Sequence, residues 1–476
     1  MNEEYHIATM KQFGERLLDV KAITADQLKK ALERQRQYGG RLGANIVALG
    51  YLSREELEKF FRRYPRVPQN TDETGLELSF VTDLVLKHIL FLGEFTLGDV
   101  SSHVKLPFTI VDSAVEELRR EKLVEVKSAS QYVKASYRFQ ITGQGKSRAS
   151  ELLSICRYVG PAPVTLGQYN EMVEQQTIKH VVVFEETVKK AFSSLIISES
   201  LLRRLGPAVS SGKALFIYGP PGNGKTTIAE TIGGILPETV YIPHAIFVGG
   251  QIISVFDPVA HVPVQHEKDT ESVDQRWVLI KRPVVMAGGE LSLKMLDLEF
   301  NPISKFYEAP LQMKANNGLF IVDDFGRQQV SAQSLLNRWI VPLERRTDFM
   351  TIHTGMKFNI PFDQLVIFAT NLDPKDLVDD AFLRRIRYKI KIDHPSPEEY
   401  EAIFRKVCDS NGLEFRKEIF DYLMKEFYRK SGAKLNACHP RDLIDHIIDD
   451  AHYYNHPPEL TKRSIAVAWE NYFVEM

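Results

Sequence analysis

The stretch Gly219-Pro220-Pro221-Gly222-Asn223-Gly224-Lys225-Thr226 constrains this chain more than any other, because of what flanks it. The apolar run Ala214-Leu215-Phe216-Ile217-Tyr218 before it reads as a buried strand, and a helix is predicted from near Thr227. In that setting the glycines let backbone N–H groups turn inward around a triphosphate, and the helix N-terminus adds its partial positive charge. Lys225 is placed to reach the β- and γ-phosphates and the Thr226 hydroxyl to ligate Mg²⁺. An ordinary Gly/Pro turn is the plainer alternative, but every position of the phosphate-binding pattern is filled. Residues 219–227 are therefore expected to hold a nucleoside triphosphate.

A chain of 476 residues leaves room for roughly three domains. Lys plus Arg (60) nearly balances Asp plus Glu (62), so no global charge points to nucleic acid or an anionic surface. Cys156, Cys408 and Cys438 lie far apart without metal-ligand spacing, as expected in a reducing compartment. The first residues lack the basic and apolar regions of a signal peptide, and no apolar run is long enough to span a bilayer. A cytoplasmic protein without membrane insertion is expected.

The N-terminal segment repeats itself at an offset of 29 residues, which pairs Gly14 with Gly43, Leu17 with Ile46 and Ile23 with Leu52. Thr24-x-x-Gln27 and Ser53-x-x-Glu56 each read as a capping box opening a helix, so two helical hairpins should pack together. The stretch Arg41–Leu52 resembles the N-terminal domain of type II secretion and type IV pilus assembly ATPases, over about residues 8–66. In some of those proteins the tandem motif binds cyclic di-GMP, which the resemblance makes a candidate ligand here, with Arg41 stacking on a guanine. The first repeat departs from the pattern, with Gln12-Phe13 in place of Arg41-Leu42 and Lys21 in place of Gly50. Protein docking is the other reading.

After a polar linker, Leu84, Val85, Ile89 and Leu90 share a helical face, and a short helix over Leu97–Val104 and a third from Pro107 to about Lys122 follow. Two strands, Leu123–Lys127 and Tyr137–Ile141, and a closing helix capped by Thr142 complete an order similar to a winged helix. DNA binding through the third helix is one reading. However, that helix exposes Asp112, Glu116 and Glu117, and residues 81–160 hold eleven Lys/Arg against nine Asp/Glu. A protein-interaction module is favoured, with DNA as the alternative.

Beyond the phosphate loop, Leu319-Phe320-Ile321-Val322 leads into Asp323-Asp324. A buried parallel strand delivers its C-terminal residues to the ligand crevice, where Asp323 would hold Mg²⁺ through water and Asp324 would orient or deprotonate the attacking water. Leu365–Thr370 is another buried strand, and Asn371 at its tip could position water or contact the γ-phosphate. A cationic cluster, Arg384-Arg385-Ile386-Arg387, and the helix start His439-Pro440-Arg441 follow. In that order these features resemble an AAA+ ATPase over about residues 161–476. The resemblance implies sensor 1 at Asn371, sensor 2 at Arg441, and an arginine finger acting on the neighbouring subunit at Arg385, with Arg384 next in line. It also implies ATP as the nucleotide and a homo-oligomeric ring, expected as a hexamer. Asp323-Asp324 departs from the usual Asp-Glu, and the shorter side chain reaches less far.

About eighty residues between Tyr241 and Asp323 are predicted to insert a β-rich element, in which Phe256, Trp277 or Phe306 could grip substrate but read better as core. Asp348–His353 and Met356–Ile360 flank Thr354-Gly355 as a hairpin, similar to the pre-sensor-1 hairpin of the branch containing MoxR-type and magnesium-chelatase ATPases. Arg345 and Arg346 beside it are a second candidate pair for intersubunit contact. The expected fold class is α/β, an AAA+ P-loop parallel sheet with a helical lid. The expected domains are a helical repeat (1–66), a winged-helix-like unit (76–158), the α/β domain (161–393) and the lid (394–476). The function implied is ATP-driven remodelling of an unidentified protein client, with links to pilus, secretion or cyclic di-GMP signalling. An ATP-controlled DNA-binding regulator and a nucleotide-dependent scaffold with little turnover are the alternatives.

Overall fold

The computed structural model describes residues 14, 17–18, 21–38, 42–53, 56, 64–129, 137–181, 183–236, 239–265, 273–377 and 380–473. Its centre is a five-stranded parallel sheet, in the order Val284–Ala287, Leu319–Val322, Leu365–Thr370, Leu215–Tyr218, Tyr388–Lys391. The three inner strands are near-continuous apolar runs because both of their faces are covered, whereas the edge strands alternate, with Val284, Met286, Lys389 and Lys391 exposed. Alternate residues split between two cores. Phe216, Phe320, Val366 and Phe368 pack with Trp339 of the helix Ala332–Arg345 on one face. Leu215, Ile217, Ile321 and Ile367 pack with Ile228 and Ile232 of the helix Lys225–Gly233, and with Leu205 and Val209, on the other. The helix after the phosphate loop thus starts two residues before Thr227, with Gly224 as its N-cap. Because the Leu365–Thr370 strand lies between the loop strand and the Asp323 strand, Asn371 emerges between the two halves of the crevice.

Residues 239–308 supply the β-rich insertion. Thr239–Pro243 pairs with Trp277–Lys281, and a second five-stranded sheet runs Glu299–Asn301, Phe306–Glu308, Gln251–Ser254, Ala245–Val248, Val164–Thr165. Trp277 is buried, and Phe256 and Phe306 pack half-buried against the cores, so the core reading of these aromatics holds over the substrate-gripping one. The hairpin predicted next to it forms from Thr347–Thr351 and Lys357–Pro361, with Gly355 at φ 85° in its turn.

Helices Leu78–Leu92, Leu97–Val104 and Phe108–Arg120 pack with a three-stranded antiparallel sheet (Glu94–Phe95, Tyr137–Ile141, Val124–Ala129) and the helix Gly143–Ile155. This unit rests on the insertion, where Phe80 meets Phe247 and Tyr158 meets Phe306. Arg276, almost fully buried, fixes the junction. It pairs with buried Asp274 at 2.7 Å and donates to the carbonyls of Thr74 and Pro163. Removing one partner of such a pair strands the other charge away from water. Arg276→Ala should therefore destabilise the junction by about 3–5 kcal/mol, whereas Arg276→Met with Asp274→Leu should cost much less. Thermal unfolding of the two variants checks this, and equal losses would sink the argument.

In the N-terminal repeat both capping boxes form: Gln27 N–H donates to Thr24 Oγ1 at 3.3 Å, and Glu56 N–H to Ser53 Oγ at 3.1 Å. Leu17, Ile23, Ala31, Ile46 and Leu52 share one small core across the two repeats. Arg41, Gln12 and Phe13 lie outside the described residues. At the other end, helices Pro397–Ser410, Lys417–Tyr422, His439–Tyr453 and Lys462–Tyr472 enclose a separate core around Tyr400, Phe404 and Trp469.

Candidate functional site

The phosphate loop needs glycine where its backbone turns. Gly219, Gly222 and Gly224 have φ of 141°, 75° and 76°. A Cβ on Gly219 would lie 2.0 Å from the Ile392 carbonyl oxygen, and one on Gly222 would lie 2.6 Å from Cys438 Sγ. The first clash is with backbone and has no room to relax; at Gly222 the contact is with a side-chain tip, and the left-handed φ is what favours glycine. Lys225 Nζ folds over the loop and donates to the carbonyls of Gly219 (3.0 Å) and Pro220 (2.8 Å). Burial lowers the Lys225 pKa, while Asp323 and Asp324 pull it back up.

Thr226 Oγ1 donates to Asp323 Oδ2 at 2.8 Å, which joins the loop helix to the end of the Leu319–Val322 strand. A hydroxyl and a carboxylate held together are hard oxygen donors. They fit Mg²⁺, which takes one or two such groups alongside phosphate and water. Asp323 Oδ1 accepts the Asp324 N–H, so both carboxylate oxygens are fixed. Asp324 has φ 47°, the left-handed region that Asp and Asn tolerate better than longer residues do. Its neighbour Phe325 is buried and tied to the next strand, donating to the Ala369 carbonyl and accepting from Thr370 Oγ1. Asp324 is left exposed, and Asn371 Nδ2 donates to its Oδ1 at 3.1 Å. Gln328, which sequence reasoning missed, lies buried behind this turn; a lone Gln in a polar loop carries no motif signal.

The lid closes the other side. Cys438 N–H donates to the Gly222 carbonyl at 2.8 Å, and Ala437 N–H to Asn223 Oδ1 at 3.0 Å. Asn223, a position the motif leaves open, is buried and adds a side-chain contact from the loop to the lid. A cavity of about 570 Å³ lies between loop, lid and the segment Ser194–Ile197, lined by Thr227, Ile228, Val407 and Arg441 among others. Its place beside the phosphate loop and its mix of apolar side chains (Ile196, Ile197, Ile228) with polar ones (Ser410, Asn411) suit a base and ribose.

His439 helps hold the lid in this position. Asn436 Nδ2 donates to its Nε2 at 3.2 Å, its Nδ1 meets the Tyr428 hydroxyl at 2.8 Å, and Asn436 Oδ1 accepts from His394 Nδ1. Burial pushes the His439 pKa down to about 4, with Asp442 opposing and His394 reinforcing the shift. A folded pKa below the ordinary value of about 6.5 means that the folded state binds fewer protons. The stability this gives is complete above pH 6.5 and is lost as pH falls toward 4, up to roughly 3 kcal/mol over the whole window. Unfolding midpoints of wild type and His439→Gln across pH 4–8 should converge at the acid end, and parallel curves would contradict the assignment.

The fold thus brings together Lys225, Thr226, Asp323, Asp324 and Asn371, with Arg441 entering from the lid. Arg384 and Arg385 are not part of this set. Arg384 is exposed, and the Arg385 guanidinium bonds the Glu344 carboxylate at the end of the Ala332–Arg345 helix. Of the other cationic pair, Arg345 is exposed. Arg346, however, is directed inward to the carbonyls of Gln364 and Gly212, so its place as an intersubunit contact is corrected to a structural one.

Residues 396–471 match a family described as a domain of unknown function (DUF8689). Over 260 residues, half of this chain and 28% of the relative, the chain is 25% identical to a vesicle-fusing ATPase of Dictyostelium discoideum. It is 45% identical to the vesicular-fusion protein SEC18 of Saccharomyces cerevisiae over 53 residues, 11% of this chain and 7% of the relative. The chain therefore spans only a minor part of the length of these curated relatives. Among solved structures, the Holliday junction branch migration motor RuvB of Thermotoga maritima aligns at a TM-score of 0.33 and 15% identity, covering 62% of this chain and 71% of that one. Parallel sheet, phosphate loop, paired acids and helical lid together give the central part of this chain the AAA+ P-loop fold.

Proposed function

We propose that this chain binds ATP with Mg²⁺, hydrolyses it within a ring of its own copies, and uses the turnover to remodel a protein partner. The observation that carries this reading is the hydrogen-bonded line Thr226–Asp323–Asp324–Asn371 along the C-terminal edge of adjacent strands. It sets a candidate base beside the loop that holds the phosphates. Asp324 orients the attacking water or takes its proton, Asn371 aims Asp324, and Lys225 answers the charge of the terminal phosphates. Thr226 and Asp323 would hold Mg²⁺, which when bound would neutralise charge on the phosphates. Arg385 serves the neighbouring copy's site, and Arg441 brings the lid's charge to its own.

We assign residues 76–158 to protein docking. In the helix Phe108–Arg120, Arg119 pairs with Glu116 and Arg120 with Glu117, which neutralises the two cations a DNA backbone would need. Salt-dependent binding to duplex DNA, lost in Arg119→Ala with Arg120→Ala, would favour the regulator reading instead. Residues 1–66 we likewise assign to docking; a cyclic di-GMP signal in calorimetry that Arg41→Ala weakens would make that domain a sensor.

The test is ATP hydrolysis measured against protein concentration, with light scattering in parallel and Lys225→Ala as control. Turnover is expected to rise steeply as assemblies form. Lys225→Ala should lose nucleotide binding by about 10²-fold or more, because its ammonium is the cation that the loop itself carries to the phosphates. Assembly with no turnover would leave the scaffold reading in its place.

A further inference from the structure

Four residues after Asp324, a buried side-chain amide ties together three pieces of backbone around the candidate base. Gln328 is 9% exposed. Its Nε2 donates to the carbonyls of Asp323 (3.0 Å), Asp324 (3.3 Å) and Gly288 (3.2 Å), and its Oε1 accepts the Gly326 N–H at 2.8 Å. Gly288 follows the Val284–Ala287 strand, so the amide also reaches the neighbouring strand end. The turn it holds contains two left-handed residues, Asp324 at φ 47° and Gly326 at φ 97°. For a residue with a Cβ that conformation is intrinsically unfavourable and persists only where its surroundings impose it.

We infer that Gln328 is a positioning residue for ATP hydrolysis, holding the Asp323–Gly326 backbone in the turn that aims the Asp324 carboxylate. The inference rests on the hydrolase reading above. Asn371 restrains the carboxylate from the front at one oxygen, and Gln328 restrains the peptide groups on both sides of the Asp324 Cα from behind. Two restraints on opposite sides fix the direction of a short side chain in a way that neither does alone. Gln328 touches no group that holds phosphate, so its loss should leave nucleotide affinity unchanged.

Two full-length variants test this. Gln328→Met keeps the length and apolar stem but has no amide, and Gln328→Glu keeps the acceptor but turns a carboxylate toward three carbonyls. Both are expected to lower kcat for ATP about tenfold or more, with KM and the affinity for a non-hydrolysable ATP analogue within about twofold of wild type. Amide exchange of the segment 324–328, read by mass spectrometry without nucleotide, should speed up in both. Wild-type kcat in both variants would overturn the inference, as would kcat, analogue affinity and melting temperature falling together. If wild type itself does not turn over ATP, the hydrolase reading fails and the positioning role fails with it. Exchange in 324–328 then shows whether the clip exists at all.

Discussion

Asp324→Asn is expected to bind ATP as wild type does and to lose turnover by roughly 10²- to 10⁴-fold, the range that a positioned general base supplies. The substitution keeps the shape and the left-handed backbone, since Asn tolerates that region as Asp does. What it removes is the basic oxygen, and it sets an amide against the Asn371 amide that now donates to Asp324 Oδ1 at 3.1 Å. Binding survives because Lys225 and Thr226, which hold the phosphates, do not contact Asp324 directly; Asp323 stands between them. Analogue affinity and single-turnover rates on the purified variant decide the matter. Equal rates in wild type and variant would remove Asp324 from the chemistry. Asp324→Glu is informative in the other direction. It restores the longer acid usual in the AAA+ family, but at a left-handed position less suited to Glu, so no gain in turnover is expected.

Arg385→Ala should leave ATP binding intact and reduce turnover by about 10³-fold or more, the scale of a trans-acting arginine. Within its own subunit the exposed Arg385 guanidinium bonds Glu344, in the last turn of the Ala332–Arg345 helix. On the trans reading proposed above, that exposed cation acts on the nucleotide site of the neighbouring copy. Mixing Arg385→Ala with Lys225→Ala tests this geometry, because one variant supplies an intact nucleotide site and the other an intact arginine. Partial recovery of turnover in the mixture, absent from either protein alone, is the expected result. No recovery at any ratio, with mixed assemblies demonstrated by scattering, would end the trans assignment.

The sequence alone carried the local chemistry. Gly219, Gly222 and Gly224 could be recognised because a left-handed or crowded backbone admits little else, and the structure gives the contacts that make it so. Asp323, Asp324 and Asn371 were legible because a buried parallel strand announces itself as an apolar run, and the polar residue that ends it must lie at the crevice. The capping boxes at Thr24 and Ser53 were equally readable, since their partners sit only three residues away. What the sequence could not supply was anything set by distant segments meeting. Only the fold shows that Asn223 bonds the lid backbone 214 residues further on, and that Gln328 gathers carbonyls from two strands. Only the fold likewise turns Arg346 into the protein while its neighbour Arg345 stays outside. Periodicity and motif spacing report short-range constraints on a single backbone. The partners of a buried amide or guanidinium are chosen by how whole elements pack, and that choice exists only in three dimensions.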